Sequence, residues 1–221
     1  MRPRVIAYDV NETLLDLSAL DEHFEAVLGD ASLRAGWFQT MLQIAFVGVI
    51  TGRHVDFTTA QHAALRMVAR RAGRDLDDAG AERIVGGMRR LPPHPEVAGA
   101  LERLRDAGFH QVTLSNSPPD VAREQIEHAG LAGVVDGVLS AEDAGQLKPG
   151  ARAYGFAAER AGAGLDDLML VAAHAWDVSG ALAAGARAAF ILRPGMVPSP
   201  IGEQPEIAAA DLTAFAEQLC R

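Results

Sequence analysis

The 221-residue sequence predicts an α/β fold, with a parallel sheet covered by helices on both faces and a helical insertion after the first strand. Short apolar runs alternate with helix-like segments in the second half of the chain, and strands joined by helices pair in parallel. The stretch from about 16 to 92 contains no clear strand. Hydrophobic residues make up 49% of the chain, enough to form a core without disulfides.

The predicted strands are short apolar runs that end beside polar residues. The first, Val5–Tyr8, is too short for a helix and directly precedes Asp9. Further strands are predicted at 111–114, 168–172 and 188–192, with a weaker one at 134–139.

Helix-like segments separate these strands, and glycines stand near several helix ends, where they commonly follow the last turn. The predicted helices are 95–106, 119–129, 151–162 and 178–185, followed by a last helix at 209–219. The proline-containing segment 195–205 is predicted to be a surface loop. Pro92 and Pro93 close the helical insertion, because proline ends helices.

The overall charge limits the partners of the protein. A formal net charge of −9 repels nucleic acid and anionic membranes. The single cysteine excludes a disulfide framework and fits a reducing compartment. The first residues lack the apolar core of a signal peptide, and the apolar run 41–50 is shorter than the roughly 20 residues that span a bilayer. We therefore expect a cytoplasmic protein with no nucleic acid or membrane partner.

Two predicted strand ends carry groups suited to catalysis or anion binding. Ligands of open parallel sheets bind beyond the carboxyl ends of the strands. Asp9, which ends the first strand, is either a nucleophile or a turn residue. Ser115 and Asn116, which end another strand, either bind an oxyanion, carboxylate or halide or cap the next helix.

Two later segments add charged groups to the same edge. Lys148, after the 134–139 strand, could keep Asp9 ionised, although an isolated lysine is usually a surface charge. His174 and Asp177 follow the 168–172 strand. They could be catalytic, or His174 could be a core residue and Asp177 a helix cap.

Four strand ends in this order, with a helical insertion after the first, resemble the haloacid dehalogenase superfamily over nearly the whole chain. The resemblance implies a Rossmann-like core domain of residues 1–15 and 93–221. It implies a helical cap domain of residues 16–92.

Local strings most resemble the type II L-2-haloacid dehalogenases. Residues 114–116 match their LSN segment, and 175–177 match their AWD segment. Residues 54–57 resemble their YVNF segment, whose Phe lines the halide pocket, and Tyr154 stands six residues after Lys148, as their active-site Tyr does.

Several positions depart from the superfamily pattern. Asn11 stands where the phosphatases of the superfamily have an acid that protonates the leaving group, and an asparagine cannot do this. Of the acidic pair that binds magnesium in those phosphatases, only Asp177 is present. Phe38 follows Trp37 where the dehalogenases have a halide-binding Arg, and neither Arg34 nor Arg53 matches by position. Residues 172–174 read Ala-Ala-His instead of Ser-Ser-Asn.

The resemblance implies hydrolysis of a small 2-substituted carboxylic acid, through an aspartyl ester on Asp9 and without metal or other cofactor. Lys148 would keep Asp9 ionised, and Thr13 would orient it. His174 would activate water together with Asp177, or donate a proton to a small leaving group. The residues expected to bind the substrate or leaving group are Asn11, Trp37, Phe38, Phe57, Ser115, Asn116, Tyr154 and Trp176.

Other readings stay open at this point. The same chemistry could open the ring of a cyclic imino acid such as azetidine-2-carboxylate, so the leaving group could be fluoride, chloride, bromide or a ring amine. A magnesium-dependent phosphatase and a non-catalytic binding protein on this scaffold are further alternatives. The apolar segment 37–50 is compatible with a homodimer formed through the cap.

Overall fold

A parallel sheet forms the centre of the molecule. The computed structural model describes residues 2–221, so Met1 of the predicted core domain lies outside the described residues. Within that range six parallel strands are arranged in the order β3-β2-β1-β4-β5-β6. Their bounds are β1 Val5–Tyr8, β2 His110–Ser115, β3 Gly137–Ser140, β4 Leu168–Ala172, β5 Arg187–Ile191 and β6 Ile207–Ala209.

The helices fall into an inserted group and a group that alternates with the strands. The inserted helices are α1 Asp21–Leu28, α2 Leu33–Thr51, α3 Phe57–Arg71 and α4 Asp78–Gly87. The others are α5 Val97–Asp106, α6 Pro119–His128, α7 Ala151–Arg160, α8 Ala175–Ala184 and α9 Leu212–Leu219. Short 3-10 helices span Leu17–Leu20, Met88–Arg90 and Leu165–Asp167. The predicted α/β class, with a helical insertion after the first strand, is confirmed.

Strand β1 lies between β2 and β4, and all four of its residues are buried. A strand covered on both faces is continuously apolar, which explains the VIAY run. Tyr8 pairs with Thr113 on one side and Val171 on the other, so the three strands end at the same edge. The strand order reverses beside β1, and such a reversal opens a crevice at the carboxyl ends of the strands.

The chain leaves and re-enters the core through two adjacent segments. The amide of Asp16 donates to the carbonyl of Pro92 at 2.8 Å, and the amide of His94 donates to the carbonyl of Leu14 at 2.9 Å. This paired junction supports the division that we propose, with core residues 1–15 and 93–221 and a helical cap at 16–92.

Several elements differ from those predicted. A short sixth strand follows the 195–205 loop, and the last helix begins at Leu212 rather than 209 because the Asp211 side chain accepts from the amide of Ala214 and caps it. The weak strand lies at Gly137–Ser140 rather than 134–139. Helix α8 begins at Ala175, so Asp177 lies in its first turn and is not its cap.

Helix α2 is longer than the apolar run 41–50 that lies inside it. Among residues 2–221 it is the one helix whose length and composition would allow it to cross a bilayer. Trp37, Met41 and Ala45 are buried within the cap, whereas Ile50 is 82% exposed. A helix with one buried and one exposed face is typical of a core helix, so this resemblance to a membrane span is weak.

Gln111 is a buried polar residue that joins three parts of the core. Its Oε1 accepts from the Tyr8 hydroxyl at 2.7 Å, and its Nε2 donates to the carbonyls of Leu101 at 3.0 Å and Val134 at 3.3 Å.

We expect Gln111→Leu to lower the free energy of unfolding in urea by about 2–4 kcal/mol, because it leaves buried polar groups unpaired. Gln218→Leu, at an exposed site on α9, should change it by less than about 0.5 kcal/mol. Equal stability of the two variants would contradict this account.

Candidate active site

Asp9 lies at the carboxyl edge of the sheet, directly after β1, and is 6% exposed. Its amide continues the β1–β4 ladder by donating to the carbonyl of Val171 at 3.0 Å. Its Oδ1 accepts from Lys148 Nζ at 2.9 Å. Its Oδ2 accepts from the Thr13 hydroxyl at 2.7 Å and lies 3.0 Å from His174 Nδ1. The sequence-predicted nucleophile and three of its predicted partners are therefore in direct contact.

Thr13 orients Asp9 because its own hydroxyl is fixed. The amide of Ala173 donates to Thr13 Oγ1 at 3.0 Å, which directs the hydroxyl proton to Asp9. Arg193 donates to the Thr13 carbonyl through Nη2 at 2.8 Å and Nε at 3.1 Å. No sequence motif indicated Arg193, which lies between the predicted strand 188–192 and the predicted loop 195–205.

Lys148 is fully buried between two carboxylates. Its Nζ lies 2.5 Å from Asp177 Oδ2 as well as 2.9 Å from Asp9 Oδ1. The Asn116 side chain accepts from the amide of Lys148 at 2.8 Å and donates to its carbonyl at 3.0 Å. Tyr154 donates to Asp177 Oδ1 at 2.6 Å. Asn116 and Tyr154 thus hold the ion network in place.

The ion network fixes the protonation of its members. Burial raises the pKa of Asp9, but the Lys148 ammonium and the His174 hydrogen bond outweigh it and hold that pKa well below its usual range. Burial lowers the pKa of Lys148, but the carboxylates of Asp177 and Asp9 raise it above its ordinary value. Burial raises the pKa of Asp177 even beside Lys148. At neutral pH, Asp9 is therefore ionised and Lys148 charged.

His174 contacts a carboxylate through each ring nitrogen. Nδ1 faces Asp9, and Nε2 lies 2.9 Å from Glu12 Oε2. Ionised carboxylates only accept hydrogen bonds, so both nitrogens carry protons. Burial lowers the pKa of His174, but the hydrogen bonds to Asp9 and Glu12 outweigh it and raise the pKa to about 9. An imidazolium has no free lone pair, so these contacts favour His174 as a hydrogen-bond donor over His174 as a base, the two roles that the sequence left open.

A small pocket lies over Asp9. Its cavity volume is about 10 Å³, roughly the space of one water molecule. The His174 ring stacks between Phe38, at 5.7 Å, and Trp176, at 5.4 Å. The residues that line the pocket are Asp9, Asn11, Phe38, Leu42, Phe57, Asn116, Lys148, His174 and Trp176.

Three predicted binding residues do not line this pocket. The Ser115 hydroxyl accepts from the amide of Ser117 at 3.0 Å. Trp37 donates to the carbonyl of Gln61 at 2.9 Å and packs behind Phe38, while Tyr154 donates to Asp177. These side chains support the pocket from behind, because hydrogen bonds hold each of them away from it.

Asn11 and Trp176 reach the pocket as predicted, with different polar contacts. Asn11 Oδ1 accepts from Gln125 Nε2 at 3.0 Å, so its amide is anchored to α6. Trp176 Nε1 is buried, and within the described chain it has no hydrogen-bond partner.

The sequence patterns missed one pocket residue, Leu42, and one residue that contacts His174, Glu12. Leu42 follows Phe38 by one helical turn, and this i, i+4 spacing could have indicated it. Glu12 had no such signal, since its position depends on the loop conformation after Asp9.

No arginine lines the pocket among residues 2–221. Arg34 lies 2.5 Å from Asp21 Oδ1 and 3.9 Å from Glu12 Oε1, outside the pocket wall, and Arg53 is exposed on the cap. The described residues also contain no group of three or more His, Cys, Asp or Glu arranged to hold a metal ion. The positive charge between Asp9 and Asp177 is the Lys148 ammonium.

Comparison with known proteins identifies the family of this chain. A model for haloacid dehalogenase-like hydrolases matches residues 3–185. The chain belongs to the haloacid dehalogenase-like hydrolase family. It is 31% identical to (S)-2-haloacid dehalogenase of Pseudomonas sp. (strain YL), over 96% of this chain and 92% of the relative. It is 29% identical to haloacetate dehalogenase H-2 of Moraxella sp. (strain B), over 95% of each chain.

A solved structure of this family shows the same fold. The L-2-haloacid dehalogenase from Xanthobacter autotrophicus, with chloropropionic acid covalently bound, has a TM-score of 0.91 and 22% identity over 98% of each chain. The predicted resemblance, the capped α/β fold and the hydrolase class are confirmed. The relatives give no support to the ring-opening, phosphatase or binding-protein alternatives.

The two carboxylates around His174 make the stability of the hydrolase depend on pH. The folded pKa of about 9 lies above the ordinary 6.5, so the stabilisation is complete below pH 6.5 and is lost as pH rises through 9. Between pH 6.5 and 10 we expect the free energy of unfolding to fall by about 3 kcal/mol more in the wild type than in His174→Asn. Parallel pH dependences in chemical denaturation would contradict this.

Proposed function

We propose that this hydrolase cleaves the bond between the α-carbon of a small 2-substituted carboxylic acid and its leaving group, without a metal, through an ester on Asp9. One observation carries the proposal: an ionised, buried carboxylate is held by an ammonium group and faces a small pocket whose cap side is formed by Phe38, Leu42 and Phe57. Asn11 beside it has no proton to give to a departing alkoxide, whereas a halide needs none.

The first step uses Asp9 Oδ1. Oδ2 already accepts from Thr13 and faces the protonated His174, whereas Oδ1 accepts from Lys148 alone and keeps a free lone pair. Oδ1 attacks the α-carbon, and the leaving group departs with the bonding electron pair. Trp176, Asn11 and Asn116 are the neutral N–H-bearing residues on the pocket wall, and we assign to them the binding of the substrate carboxylate and the leaving anion.

The second step hydrolyses the ester at Asp9 Cγ. A water attacks Cγ, the bond between Cγ and Oδ1 breaks, and the 2-hydroxy acid leaves with Oδ1. We assign to Asp177, paired with Lys148 in the ion network, the transfer of one water proton to the departing alkoxide. The other water proton is released when Asp9 becomes a carboxylate again. Only the first step touches the substrate carbon, so its configuration inverts.

The pocket favours a small substrate and requires the cap to move. Phe38, Leu42 and Phe57 belong to the inserted helices, and they close a cavity of about 10 Å³ over the core residues. A substrate larger than a water molecule enters only when these side chains move away from Asp9. Their return excludes bulk water from the reaction.

We also propose that the hydrolase is cytoplasmic and forms a homodimer through the cap. Support comes from an apolar patch on α2 and α3, where Val47 is 59%, Ile50 82% and Met67 41% exposed. Exposed apolar groups of this kind are typical of interaction surfaces.

The ester mechanism predicts where the oxygen of water goes. We expect a single turnover of (S)-2-chloropropionate with excess enzyme in oxygen-18 water to label the Asp9 peptide and leave the product unlabelled. Peptide mass analysis measures both. Asp9→Asn should give neither label nor chloride release. Label in the product but never in Asp9 would show direct attack of water on the substrate and refute the ester.

Metal independence is a separate prediction. Chloride release should continue at an unchanged rate in excess EDTA, and added Mg²⁺ should have no effect, because Lys148 supplies the positive charge beside Asp9. The same assay with fluoro-, chloro- and bromo-acids, and with azetidine-2-carboxylate, identifies the leaving group. Activity that EDTA abolishes and Mg²⁺ restores would contradict the proposal, as would turnover of p-nitrophenyl phosphate.

A further inference from the structure

Glu12 has an unusual backbone conformation. Its φ is 63°, and it is the only non-glycine residue between positions 2 and 221 with a positive φ. The left-handed region disfavours residues with a Cβ, whereas glycine adopts it freely. Such conformations persist where the surrounding structure enforces them, and they are common at active sites. The presence of glutamate here therefore suggests that its side chain has a role.

The Glu12 side chain joins the active site to the cap. Its Oε2 lies 2.9 Å from His174 Nε2, and its Oε1 lies 3.9 Å from Arg34 Nη1 at the start of α2. Its side chain is 16% exposed, and its backbone amide donates to the carbonyl of Leu15 at 2.9 Å. The carboxylate is thus held on the side of His174 that faces away from Asp9.

We propose that Glu12 is a positioning residue that holds His174 as an oriented imidazolium, so that His174 Nδ1–H and the Thr13 hydroxyl form the oxyanion site for Asp9 Oδ2. This inference rests on the proposed aspartyl-ester mechanism and concerns its second step.

Two donors already converge on the oxygen that would carry the charge. Thr13 Oγ1 lies 2.7 Å and His174 Nδ1 3.0 Å from Asp9 Oδ2. Oxyanion donors act at about this distance. Once Oδ1 carries the substrate, Oδ2 is the ester carbonyl oxygen. Attack of water on Cγ moves the π electron pair onto Oδ2, and collapse returns the pair and expels Oδ1 with the product. His174 keeps its proton throughout.

Ester formation makes Glu12 necessary. In the free enzyme both Asp9 and Glu12 stabilise the protonated His174, but the esterified Asp9 has no charge. The His174 ring stacks on Phe38 and Trp176, which carry no charge that could replace that of Asp9.

The other charges near His174 already have partners of their own. Lys148 and Asp177 pair beyond Asp9, and Arg34 lies beyond Glu12. Glu12 is therefore the one carboxylate that still contacts His174 when the oxyanion forms.

The test separates the two chemical steps. We expect Glu12→Gln, which keeps the shape but removes the charge, to release chloride from (S)-2-chloropropionate in a burst of one per active site. Hydrolysis of the ester should then be slower by roughly 10²-fold, the effect of losing one oxyanion donor. Intact-protein mass spectrometry should show the ester accumulating on Asp9. The rate of ester hydrolysis should fall at alkaline pH as His174 loses its proton, and this fall should occur at a lower pH in Glu12→Gln than in the wild type. Glu22→Gln, at an exposed site on α1, is the matched control and should behave as wild type.

A second variant separates this role from a structural one. Glu12→Gly relieves the left-handed backbone, so we expect it to fold and yet to accumulate the ester as Glu12→Gln does. If Glu12 only shaped the loop, Glu12→Gly would hydrolyse the ester at the wild-type rate. That result, or an unchanged rate and pH profile in Glu12→Gln, would overturn the inference while the ester mechanism stands. Oxygen-18 label in the product but never in Asp9 of the wild type would refute the proposed function itself, and the inference with it.

Discussion

The buried contact of one ammonium group with two carboxylates organises this molecule. Asp9, Lys148 and Asp177 are almost entirely removed from water, and isolated buried charges are strongly unfavourable. Each therefore needs partners: Thr13 and His174 donate to Asp9, Tyr154 donates to Asp177, and Asn116 fixes the backbone of Lys148. Pairing alone does not make such a network stabilising, since desolvation can exceed the attraction. Its value here is chemical, because it keeps Asp9 ionised where water is scarce.

The sheet supplies the geometry that this network requires. Because β1 pairs in register with β2 and β4, the residues after the three strands lie side by side at one edge. Asp9 and His174 come from the two strands at which the strand order reverses. Lys148 comes from the loop beyond β3, and the hydrogen bonds of Asn116 connect that loop to the end of β2. The inserted helices then add an apolar wall that no strand end could provide.

The sequence could predict the residues whose position follows from a buried strand. Asp9 and Lys148 follow apolar runs, and parallel strands bring such ends together. The direction of a side chain was harder to predict from the sequence. Trp37 and Tyr154 match family motifs, yet their hydrogen bonds to Gln61 and Asp177 hold them outside the pocket lining. Strand β6 was missed because a three-residue edge strand has almost no periodicity. Glu12 was missed because its role depends on a left-handed backbone, which no residue pattern encodes.

In the proposed mechanism, the positive charges of this site lie beside the nucleophile. Phe38 occupies the position of the dehalogenase arginine, and its ring stacks on His174, whose imidazolium contacts Asp9. In a displacement at carbon, the leaving group departs on the side opposite the attacking oxygen. A cation in contact with the nucleophile is therefore poorly placed to stabilise the leaving anion, whereas it lies against the carbonyl oxygen of the ester that follows. In the proposed mechanism, this arrangement of charge favours hydrolysis of the ester over departure of the leaving group.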